Sequence, residues 1–123
     1  MDTLLDTGVM RELMGTTADS GRTFMIDLME MFVGDARTAL ERMRRHVLSH
    51  DAAALAREAH RLKGSSATVG AIRLAASCLA IERSAKNGIC AGLETNIDGA
   101  LDILDATRIG LAAFFRGTIA AAV

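Results

Sequence analysis

The stretch Arg57-Glu58-Ala59-His60-Arg61-Leu62-Lys63-Gly64-Ser65-Ser66 carries the residues of this chain best suited to chemistry. A neutral imidazole is a good nucleophile near pH 7, since the unperturbed pKa of histidine is about 6.5. Lys63 follows His60 by three residues. On a helix that is one turn away, where an ammonium group can attract a phosphoryl oxygen and hold a phosphorylated ring in place. Arg57 and Arg61 flank the histidine and could steer an acidic partner toward it.

The helix that positions these groups has an inward seam of Leu55, Ala59, Leu62 and Ser66 at heptad-like spacing. At about 100° per residue, His60 lies roughly 130° from the centre of that seam and faces outward. Its side is shared by Ala53, Ala56, Gly64 and Ala67, all small. An exposed helix face usually carries long charged side chains. A glycine inside a helix costs about 1 kcal/mol relative to alanine, and access for another protein's backbone to the imidazole is a physical reason to accept it. By geometry alone, an ordinary exposed histidine among chance small residues of an Ala-rich chain fits as well.

The remaining elements follow from periodicity and punctuation. A short helix covers about Asp6 to Met14, and a polar loop spans Thr16 to Gly21, with Asp19 or Ser20 as N-cap of the next helix. That helix runs to about Leu48, with Phe24, Leu28, Met31, Phe32, Leu40, Met43 and Val47 recurring three and four apart. Asp35, Arg37, Glu41, Arg42, Arg44 and Arg45 form its solvated face. Asp51 caps the third helix, which continues to about Thr68, with Gly70 as the glycine just past its end. A fourth helix runs from Ala71 to Asn87-Gly88, and a fifth from about Gly92 to Thr118, in which Gly99 and Gly110 are unfavourable. Short connections make neighbours antiparallel, so the expected fold is all-α: a four-helix bundle over about residues 19–118 with a short additional N-terminal helix. The whole of residues 1–123 reads as one domain. After the Gly70 turn, residues near Leu79 to Arg83 pass beside His60. Glu82, with Arg83 and Lys86 further along, is the polar group placed to reach the imidazole. A carboxylate accepting Nδ1–H would leave Nε2 as the nucleophile. A plain surface acid is the other reading of Glu82.

Composition narrows the function classes. With no Pro, Trp or Tyr and half its residues apolar, the chain is made of good helix formers. Its 14 basic and 15 acidic residues leave a net charge of −1, without the basic excess of a nucleic-acid binder. The apolar stretch Ile109 to Val123 is broken by Arg116 and is too short for a membrane span. No secretory signal opens the sequence, so a soluble cytoplasmic protein is expected. Cys78 and Cys90 read as buried reduced thiols. No phosphate-binding glycine loop is present, so no ATP site and no self-phosphorylation are expected.

Ala59-His60-Arg61-Leu62-Lys63-Gly64-Ser65-Ser66, followed by Val69-Gly70-Ala71, Leu74, Cys78, Leu79 and Glu82, resembles the histidine-phosphotransfer (HPt) domain family. Leu28 to Val33 and Asp35 resemble the helix before that family's active-site helix, so the likeness covers about Phe24 to Gly88. The resemblance implies a phosphocarrier without its own ATP site. His60 would exchange a phosphoryl group with an aspartate on the receiver domain of a response regulator or hybrid histidine kinase. Lys63 would stabilise the phosphoryl group. Gly64 would permit docking, with Arg57, Arg61 and Ala67 around it. Ser65 and Ser66 would be structural. Glu82 and Lys86 fall where the family places polar support for the imidazole. Where members use glutamine for that support, this chain has a carboxylate, which leaves the hydrogen-bond pattern open. No cofactor is implied for this chain; the divalent cation belongs to the receiver.

Two other classes compete. A non-transferring helical adaptor could dock on a signalling protein with the same bundle. A metal-binding bundle could use His46 and His50, four apart, but none of the three histidines has the Glu three residues before it that di-iron bundles need. The apolar tail from Phe114 to Val123 could pack along the bundle or be buried in a dimer, and the sequence leaves the oligomeric state open.

Overall fold

The computed structural model describes residues 3–14 and 19–122, with side chains described for 3–12 and 23–115. The expected loop residues Thr16 to Ala18, the capping side chain of Asp19 or Ser20, and the side chains of the tail beyond Phe115 lie outside them. The described residues form five helices in order: α1 Thr7–Met14, α2 Asp19–Leu48, α3 Ala52–Thr68, α4 Ile72–Lys86 and α5 Leu93–Ala122. The long four form a ring in which α2 packs on α3 and α5, and α4 packs on α3 and α5. This is the antiparallel bundle that the short connections require.

Local chemistry sets the ends of α3 and α4. The Asp51 carboxylate accepts the N–H of Ala54 at 3.0 Å and caps α3. At the other end Gly70, with φ of 84°, lets its own N–H reach the Ala67 carbonyl while the Ala71 N–H reaches that of Ser66. The same pair of bonds closes α4, where Gly88 has φ of 76° and the N–H groups of Gly88 and Ile89 reach Ala85 and Ser84. The first turn fixes how far α4 is set back along α3, and hence which α4 residues face His60.

The N-terminal segment closes one end of the bundle. Asp6 donates its N–H to the Gly70 carbonyl at 2.7 Å, its side chain caps α1 through the Val9 N–H, and Met10 is buried. Leu4 and Leu5 lie over Gly110 of α5, where a Cβ would come within 3.0 Å of the Leu5 side chain. That contact accounts for a glycine inside α5; Gly99 meets nothing comparable.

The seam of α3 is as expected, with Leu55, Ala59, Leu62 and Ser66 all buried. The stripe of α2 is not. Phe32, Leu40, Met43 and Val47 are in the core with Met25, Met29, Ala36 and Ala39, but Phe24, Leu28 and Met31 are exposed. Length explains the difference. At 30 residues against 17, α2 overruns α3 by about 20 Å at 1.5 Å per residue, so the side of α2 that turns toward α3 has no helix to cover it there. A groove of about 620 Å³ results, with Leu28, Met31 and Phe32 on one wall and Arg61, Leu62 and Val69 on the other.

The charged face of α2 is also not simply solvated. Arg37 pairs with Asp105 at 2.6 Å, Arg44 with Asp98, and Arg42 with Glu58 at 2.9 Å. His50 follows the end of α2 in the left-handed region at φ of 55°, so it does not share a helix face with His46. Among the described residues, no three His, Cys, Asp or Glu side chains come together as a metal site, and no helix is long and apolar enough to cross a membrane.

Candidate functional site

His60 projects from the middle of α3 with 66% of its side chain exposed. Around it α3 presents the exposed residues Ala53, Arg57, Arg61, Gly64 and Ala67. Ala56, expected on the same open side, is largely covered. Among the described residues, a Cβ on Gly64 would meet nothing within 4 Å, so no described neighbour requires glycine there. Arg61 leans loosely on Glu58 at 3.8 Å, whereas Arg57 has no ion-pair partner among the described residues.

α4 supplies the other half of the site. Its core residues Leu74, Cys78, Ile81 and Ala85 face the bundle axis, and Glu82, next in the helix to Ile81, is turned into the α3–α4 interface with 2% of its side chain exposed. A buried carboxylate must be neutralised or fully hydrogen-bonded. Glu82 is bonded three times: Oε2 lies 2.8 Å from His60 Nδ1 and 3.1 Å from Lys86 Nζ, and Oε1 lies 2.8 Å from Lys63 Nζ. The Lys63 bond does most to pull its carboxyl down from an ordinary 4.5 to about 2. The bonds from Lys86 and His60 add to it, and together they outweigh the desolvation that opposes them.

Facing an ionised carboxylate, Nδ1 carries the proton and donates it to Oε2, which leaves the lone pair on Nε2. Nε2 has no protein hydrogen bond among the described residues, and an open depression of about 460 Å³ lies beside the imidazole. The arrangement provides an exposed nitrogen nucleophile, a fixed counter-charge behind it and cations around it.

The other residues singled out by sequence are local. Ser65 donates its hydroxyl to the carbonyls of Arg61 and Leu62, and Ser66 is buried with no hydrogen-bond partner for its Oγ among the described residues. Cys78 and Cys90 are buried free thiols, and burial pushes Cys78 up to about 12. Phe115 is in the core and stacks edge-on with Phe114. Sequence reasoning missed the Arg42–Glu58 pair, which ties α2 to α3 two residues from the histidine. Its only signal was an acid directly beside the α3 seam. The Glu82–Lys86 bond was signalled by its four-residue spacing.

Comparison with known proteins places the chain in a family. The family model described as the Hpt domain matches residues 27–113, a span that contains His60 and Glu82. A solved structure similar to this one is the histidine-containing phosphotransfer protein B (HptB) from Pseudomonas aeruginosa PAO1. It has 27% sequence identity and a TM-score of 0.81, over 94% of this chain and 97% of that one. No curated protein matches this chain. With most of its length matched by the family model and the bundle reproduced, the chain belongs to the Hpt domain family, the histidine-phosphotransfer modules of phosphorelays.

Proposed function

We propose that this chain, acting as a single unit in the cytoplasm, takes a phosphoryl group onto Nε2 of His60 from the aspartate of a receiver domain, or returns it. The observation that carries the reading is the His60 Nδ1 to Glu82 Oε2 contact at 2.8 Å, with Nε2 unbonded among the described residues and an open depression beside the ring. In the forward step the Nε2 lone pair attacks the phosphorus of an aspartyl phosphate. The N–P bond forms as the P–O bond to the carboxylate breaks, and the carboxylate leaves with the electron pair. The ring becomes cationic because Nδ1 keeps its proton, and Glu82 faces that charge at hydrogen-bond distance. The reverse step restores the neutral ring. Positioning and charge neutralisation are the main demands of such a transfer, so the chain works as a carrier with no ATP site. The divalent cation belongs to the receiver.

Docking of that receiver is supported by Gly64 and Ala67, which keep the surface beside His60 low, and by the cations Arg57 and Arg61. Arg61 also borders the α2–α3 groove, so the exposed Leu28 and Met31 continue the same surface. The partner this fits is the receiver of a response regulator or hybrid kinase, an apolar helix face with acidic residues beside it. The test is to incubate the chain with receivers phosphorylated on aspartate in the presence of magnesium and follow the label. The reading expects an acid-labile, base-stable phosphate on the chain that is absent in His60→Gln. Binding without transfer, kept in His60→Gln, would support a docking adaptor instead.

A further inference from the structure

Glu82 holds two ammonium groups, and they are not equivalent. Lys63 Nζ is the partner of Oε1 at 2.8 Å, and 29% of its side chain is exposed. Lys86 Nζ, at 3.1 Å, shares Oε2 with the His60 ring and has 65% of its side chain exposed. If Lys63 left, Oε1 would lose its partner among the described residues, and a buried carboxylate oxygen without a donor is costly. If Lys86 left, both oxygens would remain bonded, Oε1 to Lys63 and Oε2 to Nδ1–H.

The free surface points the same way. The depression beside the imidazole is bounded by Ala56, Arg57, His60, Arg61, Glu82 and Lys86; Lys63 does not line it. Arg57 stands on the α3 wall without an ion pair among the described residues, and Lys86 stands on the α4 wall. A phosphoryl group brings about −1.5 to −2 charges and three acceptor oxygens. A largely exposed lysine, and an arginine without an ion pair among the described residues, on facing walls match that demand, as charge-assisted donors to an anion they can both approach.

We propose that Lys86, with Arg57 across the depression, holds the phosphoryl group on His60, while Lys63 is a positioning residue that anchors Glu82 Oε1 and so keeps Oε2 in place to accept from Nδ1–H. The assignment rests on the phosphocarrier reading and differs from the resemblance, which gives the phosphoryl group to Lys63. With the ring positive after the N–P bond forms, the two lysines, Glu82 and the phosphoryl dianion come close to neutral as a set. Lys86 then exchanges one anion for another without leaving Glu82 bare.

Ammonium phosphoramidate tests this without a receiver: its P–N bond breaks, releasing ammonia, as the Nε2–P bond forms. The wild type, Lys63→Gln, Lys86→Gln, Arg57→Gln and Lys86→Arg are each phosphorylated, and the ³¹P resonance of His60 is titrated with pH. Ring tautomers are read beforehand by ¹⁵N spectra. Removing a cation that contacts the phosphoryl oxygens raises the pH of its titration. We expect upward shifts of about 0.3–0.7 unit in Lys86→Gln and Arg57→Gln, the range of a solvent-exposed ion pair. The wild-type tautomer is kept in both, and Lys86→Arg restores the wild-type titration. Lys63→Gln lowers the Nδ1–H tautomer population and moves the ³¹P titration less than half as far. A titration shift confined to Lys63→Gln, with Lys86→Gln silent, overturns the assignment while leaving the carrier reading standing. No phosphate on His60 of the wild type overturns the carrier reading and the assignment with it.

Discussion

Replacing Glu82 with glutamine keeps the side chain's shape and removes the charge that Lys63, Lys86 and His60 all address. A carboxyl whose pKa falls from 4.5 to about 2 on folding contributes at most about 3 kcal/mol by linkage. Two of its three partners, His60 and Lys86, stand largely in water, which screens their share. A contribution of about 1–2 kcal/mol is the working figure. Because the folded pKa is depressed, this stability is present in full above the unfolded value near 4.5. It is lost as pH falls through about 2, where the carboxyl is protonated in both states. Urea unfolding of the wild type and Glu82→Gln, repeated from about pH 7 to about pH 2, reads the effect as a gap in midpoint at similar slope. The variant is expected to be weaker by that amount at neutral pH, with the gap closing on acidification. Equal stability at neutral pH, or a gap that survives undiminished near pH 2, would refute the reasoning.

Gly64→Ala and Gly70→Ala should move stability in opposite directions. The first adds a Cβ in open space on a regular helix and gains about 0.5–1 kcal/mol, while slowing transfer from a receiver and leaving phosphoramidate labelling unchanged. The second forces a Cβ to 2.9 Å from the Asp6 carbonyl at φ of 84° and loses about 2 kcal/mol or more; thermal melts check both. Arg42→Met leaves the buried Glu58 carboxylate without its α2 partner and is expected to cost about 1–3 kcal/mol. Adding Glu58→Gln should recover part of that loss in denaturant titrations. Cys78, buried and with its thiol pushed up to about 12, should resist a disulfide reagent at mildly alkaline pH until the chain is unfolded; fast labelling of the native protein would contradict its placement.

Much of the fold is written in short-range chemistry. Asp51, Gly70 and Gly88 mark helix ends because caps and left-handed turns depend on a few adjacent residues. The outward direction of His60 follows from the 3.6-residue period once Leu55, Ala59, Leu62 and Ser66 are placed inside. Even the approach of Glu82 was countable, since a tight turn at Gly70 sets α4 back along α3 by a fixed distance. Tertiary structure decided what depends on neighbours distant in sequence. Phe24, Leu28 and Met31 have the spacing of core residues but lie exposed, because α2 outlasts the helix beside it. Gly110 looked like a fault in α5 until Leu4 and Leu5 were laid over it. The burial of Glu82, its division between two lysines and the Arg42–Glu58 tie arise where separate helices meet. Periodicity assigns a side chain to a face, but only the packed neighbour determines whether that face is dry, and a carboxylate's charge, partners and pKa follow from that.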